Sequence, residues 1–188
     1  MQHIYKQPNF GENWFSYPGV YHDFAQSCPD GGSIVEVGSW KGKSAACMAV
    51  EIINTNKNIN FYCVDTWEGS REHTPEKYDD IKNNTLYDTF IKNIEPVSHV
   101  IRPMRMESVV ASKYFDDESL DIVFIDANHE YEDVKEDIEH WLPKVKSGGI
   151  ISGHDYRPFW KDVVRAVDEL IGKDNITLKE GAWIWRKP

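Results

Sequence analysis

Apolar residues are distributed along this chain with two alternating periods. Short continuous apolar runs at 34–37, 61–64, 122–125 and 150–152 suit strands of a sheet covered on both faces, and 99–103 reads as a further strand. Between them, 44–54, 79–94, 108–115, 132–142 and 160–171 carry helical spacing. In 132–142, Val134, Ile138, Trp141 and Leu142 fall on one face and Pro143 closes the helix. A short helix over 21–28 precedes the turn Pro29-Asp-Gly-Gly32. Strand and helix alternate throughout, so the expected architecture is α/β, a doubly wound and mostly parallel sheet. The tail departs from this order. Segments 176–178 and 182–185, joined by Lys179-Glu-Gly181, read as a C-terminal antiparallel hairpin. Trp183 and Trp185 share one face of it, which suits core packing or a subunit contact such as that of a homodimer. No repeat or linker interrupts residues 1–188, which are expected to form one domain, with 1–30 as an N-terminal cap on the substrate side and 31–188 as the core. The polar stretch 68–78, broken by Gly69 and Pro75, fits neither element type and is either a lid or a surface loop.

Composition narrows the function. The chain has 188 residues, 40% hydrophobic and 28% charged, a globular mixture. With 21 basic against 31 acidic residues its net charge is −10, which disfavours nucleic acid and anionic membranes as partners. It lacks an 18-residue apolar run and a signal-peptide core, so a cytoplasmic protein is expected. Cys28, Cys47 and Cys63 are far apart and read as small buried thiols, without a disulfide framework or zinc pattern.

The candidate chemistry begins at Ser33-Ile-Val-Glu-Val-Gly-Ser-Trp-Lys-Gly-Lys-Ser44, a strand running through a glycine loop into a helix. Three ligands compete for such a loop. A P-loop needs four residues between its glycines, whereas Gly38 and Gly42 enclose three, and Glu36 would aim a charge at the phosphate nest. A dinucleotide fingerprint needs glycine where Trp40 stands. S-adenosylmethionine has no phosphate. Glu36 suits its ammonium, loop N–H groups suit its carboxylate, and Asp65, ending the second strand, suits its ribose hydroxyls.

In combination these motifs resemble class I S-adenosylmethionine-dependent methyltransferases, the small-domain group with Asp-x-x-His-x-Tyr and His-Asp-Tyr motifs. The matching residues are Val35-Glu-Val-Gly-Ser39 with Gly42-Lys-Ser44, Val64-Asp-Thr-Trp67, Phe124-Ile-Asp-Ala-Asn-His-Glu-Tyr131 with Val134-x-x-Asp137, and Trp141-Leu-Pro143 through Gly148-Gly-Ile-Ile-Ser-Gly-His-Asp-Tyr156. The resemblance implies a seven-stranded Rossmann-like sheet with a reversed terminal hairpin. It also implies that Glu36, Gly38, Ser39, Trp40, Gly42 and Ser44 surround the methionine part of the cofactor. Asp65 and Thr66 would hold its ribose beside Trp67, Met106, Glu107 and Ser108 would line the adenine edge, and Asp126 would complete the pocket.

Asp126 and His129 follow one strand, and His154 and Asp155 follow the next. Parallel strands open on one edge, so the four are expected to converge beside a bound methyl donor. His129 or His154 could take the proton of an acceptor hydroxyl. Alternatively Asp126 and Asp155 could clamp Mg2+ or another divalent cation. By resemblance, metal-dependent catechol-type relatives follow the second aspartate with asparagine, where this chain has Tyr156, and macrolide-sugar relatives carry aspartate at the place of His154. The expected reaction is O-methylation of a small polar acceptor such as a sugar or sugar-bearing metabolite. Two alternatives stand beside it, a P-loop-like nucleotide hydrolase and a non-catalytic adenosyl-ligand binding module. His3, His22, His73, His99 and His140 fall in no constellation and read as surface or packing residues.

Overall fold

The structure, a computed structural model, describes residues 1–71 and 73–188. The apolar runs form the middle of a seven-stranded sheet ordered β3-β2-β1-β4-β5-β7-β6. Its first five strands in sequence are β1 (Ser33–Val37), β2 (Asn60–Asp65), β3 (Ile101–Arg105), β4 (Leu120–Ile125) and β5 (Val145–Gly153), all paired in parallel. The tail forms β6 (Thr177–Lys179) and β7 (Ala182–Arg186), and β7 pairs antiparallel with both β5 and β6. The C-terminal hairpin expected from the sequence is therefore present.

Strand alternation divides the core in two. Ile34, Phe61, Ile122, Phe124 and Ile150 face one layer, formed by α1 (Pro18–Ser27), α2 (Lys43–Thr55) and α4 (Leu86–Ile94). Val35, Val37, Val123, Ile125 and Ile151 face the other, formed by α5 (Ser108–Ser112), α6 (Tyr131–Trp141) and α7 (Lys161–Leu170). Trp183 and Trp185 both pack into this second layer. Strand order reverses between β1 and β4, and the carboxyl ends of those strands are where open α/β sheets place ligands. There Val37 accepts the N–H of Asp126, and Val64 accepts that of Gly38, each at 2.8 Å.

The helix expected over 79–94 is interrupted. It divides into α3 (Asp79–Lys82) and α4, with Asn84 between them at φ 53°. Asp80 organises the break: its Oδ1 accepts the hydroxyls of Thr85 and Thr89 at 3.2 and 2.6 Å, and its carbonyl accepts the N–H of Thr85 at 2.9 Å. Short polar side chains compete with the helical ladder in this way. The helix expected over 108–115 ends at Ser112, and the one expected over 21–28 starts earlier, with Pro18 in its first turn.

Candidate active site

Glycine at position 38 is what lets the two strand ends approach. Its φ is 89°, and a Cβ there would fall 2.0 Å from the Asp126 carbonyl oxygen. Beside this junction opens a cavity of about 670 Å3, walled by the ends of β1, β2 and β4 and by α5 and α6. Of the residues expected to bind a cofactor, Gly38, Trp40, Asp65, Thr66, Met106, Glu107, Ser108 and Asp126 line it. Glu36, Ser39, Gly42, Ser44 and Trp67 are not part of its lining.

The pleat explains Glu36. It points to the same side of β1 as Ile34, beneath the loop, where its carboxylate accepts the hydroxyls of Tyr21 at 2.6 Å and Ser39 at 2.7 Å. Burial pushes its pKa up to about 7, against the opposing effect of those hydrogen bonds. Gly42 caps α2 in a left-handed conformation against Phe90 and Ile94, Ser44 is buried in α2, and Trp67 donates its indole N–H to the Trp40 carbonyl at 2.8 Å. Two of the loop N–H groups, those of Ser39 and Trp40, donate to Asp65 Oδ2 at 2.9 Å, and Trp67 N–H donates to Oδ1 at 2.7 Å. Asp65 thus braces the loop from the neighbouring strand. Burial raises its pKa, with these amides opposing.

The lining is acidic. Among the described residues, Asp65, Glu68, Glu107, Asp126, Asp133, Glu136 and Asp137 line the cavity with a single lysine, Lys113. Asp137, which the sequence marks only through its spacing from Val134, is buried, and burial pushes its carboxyl up to about 7 against a hydrogen bond with Ser108. The P-loop-like lysines turn elsewhere: Lys41 pairs with Asp80 at 3.1 Å, and Lys43 reaches the Glu12 carbonyl and Asn13. The stretch 68–78 contributes Glu68, Gly69, Ser70 and His73 to the cavity wall. His73 stacks on Trp40 with centroids 4.1 Å apart, and Trp14 and Tyr78 complete this aromatic group. Arg71 pairs with Glu130, linking the stretch to the segment that follows β4.

The four histidine and aspartate residues after β4 and β5 converge on one another, and of them Asp126 alone is part of the cavity lining. Asp155 Oδ2 accepts from His129 Nε2 at 3.0 Å and lies 3.2 Å from His154 Nδ1, while Asp126 Oδ1 lies 3.8 Å from that same nitrogen. Asp155 has φ 57°, a strained left-handed conformation that follows directly on His154. Burial would raise the Asp155 pKa, but the two histidines hold it well below the usual carboxylate range. Burial would likewise lower that of His154, and the hydrogen bond to Asp155 with the charges of Asp126 and Asp155 outweighs it and raises the value. Burial is the main cause of the raised Asp126 pKa. The N-terminal segment supplies partners that no motif announces. Tyr17 donates to Asp126 Oδ2 at 2.7 Å, and Ser16 Oγ lies 3.2 Å from both His154 Nε2 and Arg157. Trp160 stacks on His129 at 4.0 Å.

The family described as "Methyltransferase domain" matches residues 35–156. A protein of Sinorhizobium fredii, "Uncharacterized protein y4gI", is 28% identical over 122 residues, which are 65% of this chain and 13% of that protein. The chain therefore spans only a small part of that curated relative's length. Among solved structures, the O-methyltransferase NovP superposes with a TM-score of 0.65 at 15% identity, covering 92% of this chain and 79% of that one. CalS11, described as a TDP-rhamnose 3'-O-methyltransferase of calicheamicin biosynthesis, gives 0.61 at 14% identity, covering 90% and 76%. A SAM-dependent O-methyltransferase from Thermotoga maritima gives 0.57 at 15% identity, covering 90% and 56%. At these identities the likeness is one of fold.

Proposed function

Because the chain belongs to the methyltransferase domain family, we propose that it moves a methyl group from S-adenosylmethionine to a hydroxyl of a small polar acceptor. The observation that carries this reading is the lining of the cavity, in which seven acidic side chains stand against one lysine among the described residues at the carboxyl ends of β1, β2 and β4. Such a lining repels phosphates and attracts a ligand bearing a sulfonium and an ammonium. It speaks against a nucleotide hydrolase. Gly38, whose missing side chain lets the Asp126–Ala127 backbone pass beside it, and Trp40 line the cavity and would meet the methionine part. Asp65 keeps lone pairs for ribose hydroxyls beyond the three amides it accepts, and Met106, Glu107 and Ser108 would meet the adenine.

When bound, the donor supplies an electrophilic methyl group on sulfur. The chain must align the acceptor oxygen and remove its proton. We assign that proton to His154, which Asp155 holds in place and which sits beside Asp126 at the strand ends. Ser16 and Arg157 give this side a polar rim, consistent with a hydroxyl-rich acceptor, and the rhamnose acceptor of the structural neighbour CalS11 supports a sugar-bearing one. A second reading rests on one observation: donor atoms of Asp126, His154 and Asp155 lie within 4.8 Å of one another, so the three could hold a divalent cation that acidifies the acceptor hydroxyl.

Thermal denaturation with S-adenosylhomocysteine, ATP–Mg and NAD tests the cofactor. At about 100 times Kd a ligand stabilises by about 3 kcal/mol, roughly a 5–10 °C rise for a chain of this size. A rise with the first alone is expected, and a rise only with ATP–Mg or NAD would sink the reading. Transfer of labelled methyl to a panel of sugar nucleotides and glycosides follows. Binding without transfer to any acceptor leaves the non-catalytic module. Loss of transfer in a chelator, restored by a divalent ion, selects the cation over histidine alone.

A further inference from the structure

A second constellation lies away from the cavity, among residues that look unrelated in the sequence. Cys47 and Glu51 are one helical turn apart on α2, and both are buried. The N-terminal segment brings His3 against them, with His3 Nε2 3.0 Å from Glu51 Oε1. From α1, His22 Nδ1 takes the other carboxylate oxygen at 2.9 Å. One donor atom from each of His3, Cys47 and Glu51 lies within 4.8 Å of the other two. Donors around a tetrahedral zinc-class ion are separated by roughly 3.3–3.7 Å, given bonds of about 2.0–2.3 Å, so this grouping needs only a small contraction.

To share one ion with Glu51, His3 has to offer Nε2, the nitrogen that faces that carboxylate, because the Nδ1 lone pair leaves the ring on a diverging line. Binding then replaces the Nε2–Glu51 hydrogen bond and moves the ring proton to Nδ1, which is buried and has no hydrogen-bond partner among the described residues. Burial first, and then the charges of Glu51, Glu36 and Glu180 against that of Lys6, push the Cys47 thiol well above its ordinary value, so its thiolate forms only with a cation beside it. We propose that His3, Cys47 and Glu51 bind a borderline-soft divalent cation of the zinc class, with His22 orienting Glu51 and water filling the fourth position. A thiolate, imidazole and carboxylate together favour zinc over magnesium or calcium. Glu51 held by a second imidazole has the supported geometry that metal-ligating carboxylates adopt. Binding requires the Cys47 thiol to lose its proton, which passes to solvent as the thiolate–metal bond forms.

Cobalt(II) titrated into the full chain tests this, because only a sulfur ligand produces a thiolate-to-cobalt charge-transfer band. The strand-end cluster of Asp126, His154 and Asp155 has no sulfur and cannot produce it. A stoichiometric band that disappears in Cys47→Ser is expected. Zinc affinity, measured by competition with a chelating dye, should fall at least about 10-fold in His3→Ala and about 10-fold in His22→Ala. These two variants keep the test open if Cys47→Ser does not fold. Absence of the band, its survival in Cys47→Ser, or zinc affinity unchanged in His3→Ala would overturn the proposal.

Discussion

The two histidine-carboxylate clusters of this protein were assembled by different means. At the sheet edge, Asp126, His129, His154 and Asp155 meet because β4 and β5 are adjacent and parallel, so residues following them open on one side. On α2, Cys47 and Glu51 meet His3 and His22 only through the packing of the N-terminal segment and α1. The first arrangement follows from topology, and the second from side-chain packing that topology leaves open. Chemistry at a sheet edge can therefore be anticipated from strand order, whereas a site on the back of a helix has to be found in three dimensions.

Substitutions can test that division. The largest effect is expected at the edge: His154→Ala should lower kcat by roughly 10²- to 10⁴-fold, the usual range for a lost general base, and leave stabilisation by S-adenosylhomocysteine intact. His22→Ala should leave transfer within about twofold. Equal losses in the two variants would show that the clusters act as one. Next is the loop between strand and helix. Gly38→Ala should cost roughly 3 kcal/mol or more in urea denaturation, because its φ is 89° and the added Cβ would overlap the Asp126 carbonyl.

A subtler effect concerns the sealed carboxyl group between the two regions. Glu36, pushed up to about 7 in the folded protein, retains a proton that the unfolded chain releases nearer 4.5. Stability contributed by that proton is complete below pH 4.5 and is lost as pH rises through 7, a change of up to about 3 kcal/mol. Glu36→Gln should flatten this part of the Tm–pH curve, but only in part, since Asp137 is also pushed up to about 7 and contributes with the same sign. A slope unchanged by Glu36→Gln would mean that Glu36 is ionised throughout. The smallest effect belongs to Gly31→Ala, which shares a positive φ of 78° but has nothing within 4 Å of its added Cβ, and should cost about 1 kcal/mol.

These contrasts also separate what could be read in the sequence from what could not. Continuous apolar runs located four of the five parallel strands, β1, β2, β4 and β5, because both of their faces are covered, whereas the edge strand β3 buries only Ile101; Lys179-Glu-Gly181 located the terminal hairpin. The acids at strand ends were legible for the same reason. The orientation of Glu36 was not, because a loop motif does not say which face of β1 its last acid occupies. The break at 83–85 was hidden by helical spacing on both sides of it, and Asp80 sets it through contacts up to nine residues away. Ser16 and Tyr17 reach His154 and Asp126 across more than a hundred residues, a separation at which no spacing rule operates. His3 and His22, read as surface or packing residues, belong to the α2 cluster for the same reason.

The acidity of the cavity wall has a consequence for the end of a cycle of the proposed reaction. A sulfonium donor would enter with a positive sulfur and depart as a neutral thioether, while the acidic side chains around it remain. Their attraction would be strongest before transfer and weaker after it, so the same charges that capture the donor would favour exchange of the by-product for a fresh molecule.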